Sequence, residues 1–161
     1  MNPELKNQII EVAQDLLKRV GFEADIRMVD DGFSSNSFPV LLVESEKDLS
    51  MLIGKNGQNL NAFEHLVRLM VFHKNISQEL KELNFVVDIN DYRKSRARYI
   101  LDLARSAASR VASSQKAEAL VPMSSYERRL VHTELASNRD IQTESIGEEP
   151  RRRIVIKPLL I

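Results

Sequence analysis

The sequence predicts an α+β protein of two modules, residues 1–90 with the element order α-β-β-α-α-β and residues 91–161 with the order α-β-α-β-β. Three observations lead there. Apolar residues recur at helical spacing in three long segments, around residues 5–20, 60–71 and 97–111. Between them lie short runs rich in Val, Ile and Phe, bounded by Gly, Asn, Ser and Pro, as strands are. The formal charge is zero over the 161 residues, yet residues 1–88 carry 9 Lys+Arg against 14 Asp+Glu and residues 89–161 carry 14 against 9. Such a swing points to two modules, the second facing an anionic partner.

In the first module, Leu5, Ile9, Val12, Ala13, Leu16, Leu17 and Val20 form one helical stripe, with Asn2 as cap, Pro3 in the first helical position and Gly21 as the stop. Strand-like runs follow at 23–30 and 38–44, joined as a hairpin by the polar turn at 31–37. A short helix at 47–53 leads into Gly54-Lys55-Asn56-Gly57. A longer helix then places Leu60, Phe63, Leu66, Val67, Met70 and Val71 on one face, and a strand occupies 84–90. In the second module, the helix at 92–113 carries Ala97, Ile100, Ala104, Ala107, Ala108 and Val111 as one stripe. Lys94, Arg98 and Arg105 form a basic flank beside it. A strand at 118–121 ends at Pro122. Ser124 and Glu127 then fit a capping box that opens a helix to about Ala136. Strands at 141–146 and 152–157 close the chain around Gly147-Glu148-Glu149-Pro150.

Composition narrows the function classes. With 43% hydrophobic and 29% charged residues, the chain can bury a core. The absence of cysteine removes disulfides, thiolate metal sites and thiol nucleophiles, and it suits a reducing compartment. Apolar runs reach only four or five residues where a membrane span needs about 20, and Met1–Lys6 shows no secretory pattern, so a cytoplasmic protein without membrane insertion is expected. Phosphate-loop, dinucleotide and nucleophile-elbow motifs are missing. His65 and His73 stand about 12 Å apart along one helix and cannot share a metal ion. No enzyme, metal or cofactor is expected.

The Gly54–Gly57 loop is the first candidate site. Its glycines permit a tight turn and a close approach of another backbone, and Lys55 with the following helix amides would face a phosphate. A G-x-x-G loop between the two central helices of an α-β-β-α-α-β order resembles a type II KH domain. In that fold Gly54, Lys55, Asn56 and Gly57 would clamp a single-stranded backbone. By position, Ile53, Leu60, Val40 and Leu42 would line the apolar groove that holds bases.

The second candidate is Glu127-Arg128-Arg129-Leu130-Val131-His132, in which Arg128 and His132 share a helix face. This motif, after 120–123 and before Thr143–Ile156, resembles the R-three-H domain, a small module associated with single-stranded nucleic acid. The two modules in succession resemble the bacterial Jag (SpoIIIJ-associated, KhpB) family. The resemblance implies phosphate or base contacts at Arg128 and His132. Arg129, Arg151, Arg152 and Arg153 would extend the positive surface; if Ile154 and Ile156 face in, Arg151, Arg153 and Lys157 alternate outward with Val155, and Arg152 sits near the edge. It also implies a link to cell elongation and division, and a small KH-only partner or self-association. Members of that family often carry an additional N-terminal domain and a charged linker; this sequence starts at the KH helix, so functions of that domain are not expected of it.

The expected function is binding of single-stranded RNA with little sequence specificity, through Gly54–Gly57 and the basic face of the second module. Single-stranded DNA is the alternative ligand, and a protein-interaction adaptor on nucleic-acid-binding folds is the alternative function. Substituting Gly54 and Gly57 by Asp is expected to separate them: RNA binding should drop while the fold survives, whereas an adaptor would be indifferent.

Overall fold

The computed structural model describes residues 1–30, 38–74 and 84–159, and divides into two compact units, Met1–Tyr92 and Arg93–Ile161. The chain is α+β throughout, with the expected order of elements in both units. The turn at 31–37 lies outside the described residues.

The first unit opens with α1 (Pro3–Arg19), which the Asn2 side chain caps by accepting the Glu4 amide at 3.1 Å. Leu5, Ile9, Val12, Ala13 and Leu17 are buried, whereas Leu16 is half-buried and Val20 is exposed, so the buried stripe is narrower than the sequence suggested. β1 (Asp25–Val29) pairs antiparallel with β2 (Val40–Glu44), and β2 pairs parallel with β3 (Val86–Ile89). A parallel pair requires a crossover, and α2 (Ser50–Ile53) and α3 (Gln58–Lys74) lie on it. The helix expected from residue 47 begins only at Ser50, whose amide is taken by the Asp48 carboxylate at 2.8 Å. Leu41, Val43, Val87 and Ile89 of the sheet bury against α1 and against Leu60, Phe63, Val67 and Val71 of α3. Leu66 is 48% exposed. It precedes Val67 by a third of a helical turn, which carries it off the buried face.

In the second unit, α4 (Tyr92–Ser114, beginning at the junction) is followed by β4 (Glu118–Ala119), α5 (Ser125–Leu135), β5 (Ile141–Ile146) and β6 (Arg153–Pro158). The sheet has the order β4-β6-β5, antiparallel throughout. Ala104, Ala107 and Ala108 are small enough to let α4 lie close, and with Ile100 and Val111 they share a core with Val131, Ile141, Ile154 and Ile156. The capping box of α5 is complete: Ser124 Oγ accepts the Glu127 amide at 3.3 Å, and Glu127 Oε2 accepts the Ser124 amide at 2.7 Å. Along β6, Ile154 and Ile156 are buried while Arg153, Val155 and Lys157 stay partly exposed on the other face, as the alternation required. Among the described residues no helix is long and apolar enough to cross a membrane.

Candidate nucleic-acid interface

The loop between α2 and α3 is set by its glycines. Gly54 has φ 68° and ψ −179°, and Gly57 has φ 77°. Between them Asn56 takes a left-handed conformation (φ 53°), so the chain makes a short 3-10 turn, Lys55–Gly57, before α3. A Cβ on Gly54 would lie 2.5 Å from Asn59 Cγ, whose amide nitrogen donates to the Met51 carbonyl at 2.7 Å. A Cβ on Gly57 would lie 3.1 Å from the ring of Tyr92. Aspartate at either glycine would therefore strain the loop itself as well as oppose an anionic ligand. Lys55 and Asn56 are exposed at the tip. Of the four apolar residues expected in a base groove, Leu60 and Val40 are only 1% and 2% exposed and are core; Ile53 and Leu42 are half-buried.

In the second unit the expected residues divide. Arg128 is buried: its Nη1 donates to the Met123 carbonyl at 2.7 Å and lies 2.8 Å from Glu149 Oε1. This corrects the expectation of an arginine presented to phosphate, because both acceptors are protein groups. His132, one turn further along α5, is exposed, with Nδ1 hydrogen-bonded to Thr143 Oγ1 of β5. Two residues along the same face of β5, Ser145 Oγ accepts from Arg152 Nε at 3.0 Å. Residues i and i+2 of a strand stand about 7 Å apart, so β5 brings His132 and Arg152 to neighbouring positions. Arg129 and Arg151 are exposed and have no ion pair among the described residues. Arg153 is half-buried, its Nε donating to the Arg151 carbonyl at 3.2 Å.

The basic flank of α4 holds only in part. Lys94 and Arg98 are exposed without an ion pair among the described residues. Arg105 is held 2.7 Å from Glu134 and 3.2 Å from Asp102, and Glu134 above all pushes its pKa further up, so its charge is already compensated.

Several residues were missed in the sequence. Arg96 of α4 pairs with Glu127 at 2.7 Å, tying α4 to the first turn of α5. Glu149 pairs with Arg128, and no spacing rule announces a partner 21 residues away. Tyr126 is 60% exposed and lies three residues before Arg129, on the same face of α5, where its ring could stack on a base.

A comparison with protein families matches the R-three-H domain over residues 98–158. RNA-binding protein KhpB of Lactiplantibacillus plantarum is 37% identical over 141 residues, which cover 88% of this chain and 41% of that protein. RNA-binding protein KhpB of Clostridium symbiosum is 36% identical over 109 residues, 68% of this chain and 47% of that protein. The Bacillus subtilis protein of the same name is 38% identical over 109 residues, 66% of this chain and 50% of its own length. The chain thus spans half or less of the length of these relatives. Residues 98–158 form an R-three-H domain, and the chain is a relative of the KhpB proteins.

Proposed function

We propose that this chain binds single-stranded RNA in the cytoplasm, with little sequence dependence, as a binding protein and not an enzyme. On this reading the first unit is a type II KH domain that clamps the strand at Gly54–Gly57. The R-three-H domain adds contacts from Arg129, His132, Arg151 and Arg152. The observation that carries the reading is the distribution of unpaired cations. Among the described residues, at least ten Lys and Arg side chains are tied to carboxylates. Lys18, Lys55, Lys74, Lys94, Arg98, Lys116, Arg129, Arg139, Arg151 and Arg152 have no carboxylate partner among the described residues, and of these Arg129, Arg151 and Arg152 gather around α5 and the β5–β6 turn while Lys55 stands at the loop tip. Cations left without carboxylates, beside a backbone loop and an exposed tyrosine, suit phosphate contact with base stacking. The naming of the relatives as RNA-binding proteins supports RNA over other polyanions. A small KH-only protein as partner belongs to the same proposal.

The test is a titration of a fluorescent mixed-sequence 20-mer RNA with the full chain across a salt series, read by anisotropy, with the matching single-stranded DNA alongside. Log affinity is expected to fall against log salt with a slope of about −2 or steeper, since each neutralised phosphate on a single strand contributes roughly 0.7. Lys55→Glu should weaken binding without changing stability. Equal binding of DNA would show that the 2′-hydroxyl is not read. Absence of binding at low salt overturns the proposal and leaves the adaptor reading.

A further inference from the structure

Arg128 is the residue for which the motif and the geometry disagree. Its guanidinium is turned inward, onto the Met123 carbonyl and Glu149. Those two groups belong to the two segments that carry or adjoin the free arginines. Met123 precedes α5, and its amide donates to the Arg152 carbonyl at 3.2 Å. Glu149 lies in the β5–β6 turn, between Gly147 (φ 91°) and Arg151, whose amide donates to the Glu148 carbonyl at 2.8 Å. One buried cation therefore joins α5, the segment before it and the turn that presents Arg151 and Arg152. Glu149 is itself 61% exposed on its side chain, so the turn reaches solvent while its anchor does not.

We infer that Arg128 is a positioning residue that holds the arginine-bearing β5–β6 turn against α5, and that RNA meets Arg151, Arg152 and His132 in place of Arg128. This rests on the RNA-binding reading above for its functional half. The two roles make opposite predictions at Glu149. If Arg128 were a phosphate ligand, Glu149 would compete with the strand; Glu149→Ala would free the guanidinium, strengthen binding and steepen the salt slope by roughly 0.7. Removing any negative charge near a polyanion site also favours binding on electrostatic grounds. If Arg128 is a strut, the same substitution releases the turn and weakens binding despite the gain in net positive charge.

The experiment is the salt-series anisotropy titration with Glu149→Ala, Arg128→Met and the double variant in the full chain, together with amide hydrogen exchange at Arg151. Glu149→Ala is expected to lower affinity about three- to tenfold and to flatten the slope by roughly 0.7 to 1.4, one to two phosphate contacts. The double variant should bind no worse than the weaker single, since both cut one link. Protection of the Arg151 amide should fall in each variant. Unchanged or tighter RNA binding by Glu149→Ala overturns the inference, as does an additive double variant. Should Arg128→Met fail to fold, the exposed Glu149 variant decides alone. Should the unsubstituted chain not bind RNA, the functional reading fails by itself, and the Arg151 amide still shows whether Arg128 holds the turn.

Discussion

Gly54→Ala tests the loop on which the first candidate site depends. At φ 68° and ψ −179° the residue occupies a region essentially reserved for glycine, so alanine costs about 1–3 kcal/mol in backbone strain. Its Cβ would also stand 2.5 Å from Asn59 Cγ. Moving Asn59 aside breaks its 2.7 Å bond to the Met51 carbonyl, which adds roughly 0.5–1.5 kcal/mol. The sum is about 1.5–4.5 kcal/mol, which would accelerate exchange through unfolding of the first unit by roughly 13- to 2,000-fold. The assay is amide hydrogen exchange at Leu41 and Val43 in the central strand, which reports the first unit separately from the second. Adding Asn59→Ala to Gly54→Ala should recover the steric part and leave the dihedral part. Lys55→Ala, at an exposed site, should stay within about 0.5 kcal/mol. A cost below about 1 kcal/mol for Gly54→Ala would refute this loop conformation, and with it the argument that the glycines hold the backbone open for a strand.

Glu127→Ala removes half of the α5 capping box and leaves Arg96, 17% exposed, without its carboxylate; the loss should be about 2–4 kcal/mol, against about 1 for Ser124→Ala, in urea unfolding. Acid should destabilise the chain: Lys47 lowers the pKa of Glu23, Lys6 that of Asp30, Ser50 that of Asp48 and Arg110 that of Glu118. Folded values below the ordinary 4.5 for Glu and 3.8 for Asp mean that the stabilisation is present above those values and lost as pH falls through the lower folded ones. Urea midpoints should therefore hold from pH 7 to about pH 5 and decline below, less steeply in Glu118→Gln. Arg105→Ala should leave the salt slope of RNA binding unchanged, because Glu134 and Asp102 already compensate that charge; a slope flattened by roughly 0.7 would place Arg105 on the strand instead.

What could be read in the sequence was local. β5 runs from Ile141 to Ile146, the bounds of the strand-like run, and the Ser124–Glu127 capping box spans one helical turn, within reach of a spacing rule. Both candidate loops were legible because glycine and clustered arginine carry their chemistry in their identity. Position around a helix was less so: Leu66 fits an apolar stripe by spacing yet lies off the buried face, and Val20 fits the α1 stripe yet falls just past the last helical residue, Arg19, and both are exposed. Orientation of the arginines was not legible at all. Arg128 and Arg129 are adjacent and chemically identical, and only the return of the chain through β5 brings Glu149 to one and not the other. The spacing that marks Arg128 and His132 carries no sign that the first is buried and the second exposed.

The charge of the two units bears on how they would divide the work. Residues 1–92 carry 9 Lys+Arg against 15 Asp+Glu, and residues 93–161 carry 14 against 8. By net charge the first unit repels a polyanion, and its loop holds one lysine. Beyond Lys55, whatever it contributes on the proposed reading must come from short-range contact: a backbone that glycine lets another chain approach, and the half-buried Ile53 and Leu42 nearby in sequence to the loop or on β2. Salt screens long-range repulsion as well as attraction. Raising it therefore weakens the arginine contacts of the R-three-H domain while relieving the penalty on the acidic unit. The overall salt slope should accordingly be shallower than the cationic contacts alone would give, while the costs of Lys55→Ala and Arg151→Ala should both shrink as salt rises. On the proposed reading, zero net charge over the whole chain is no obstacle, because charge would draw the strand to the second unit and short-range contact would add to its retention at the first.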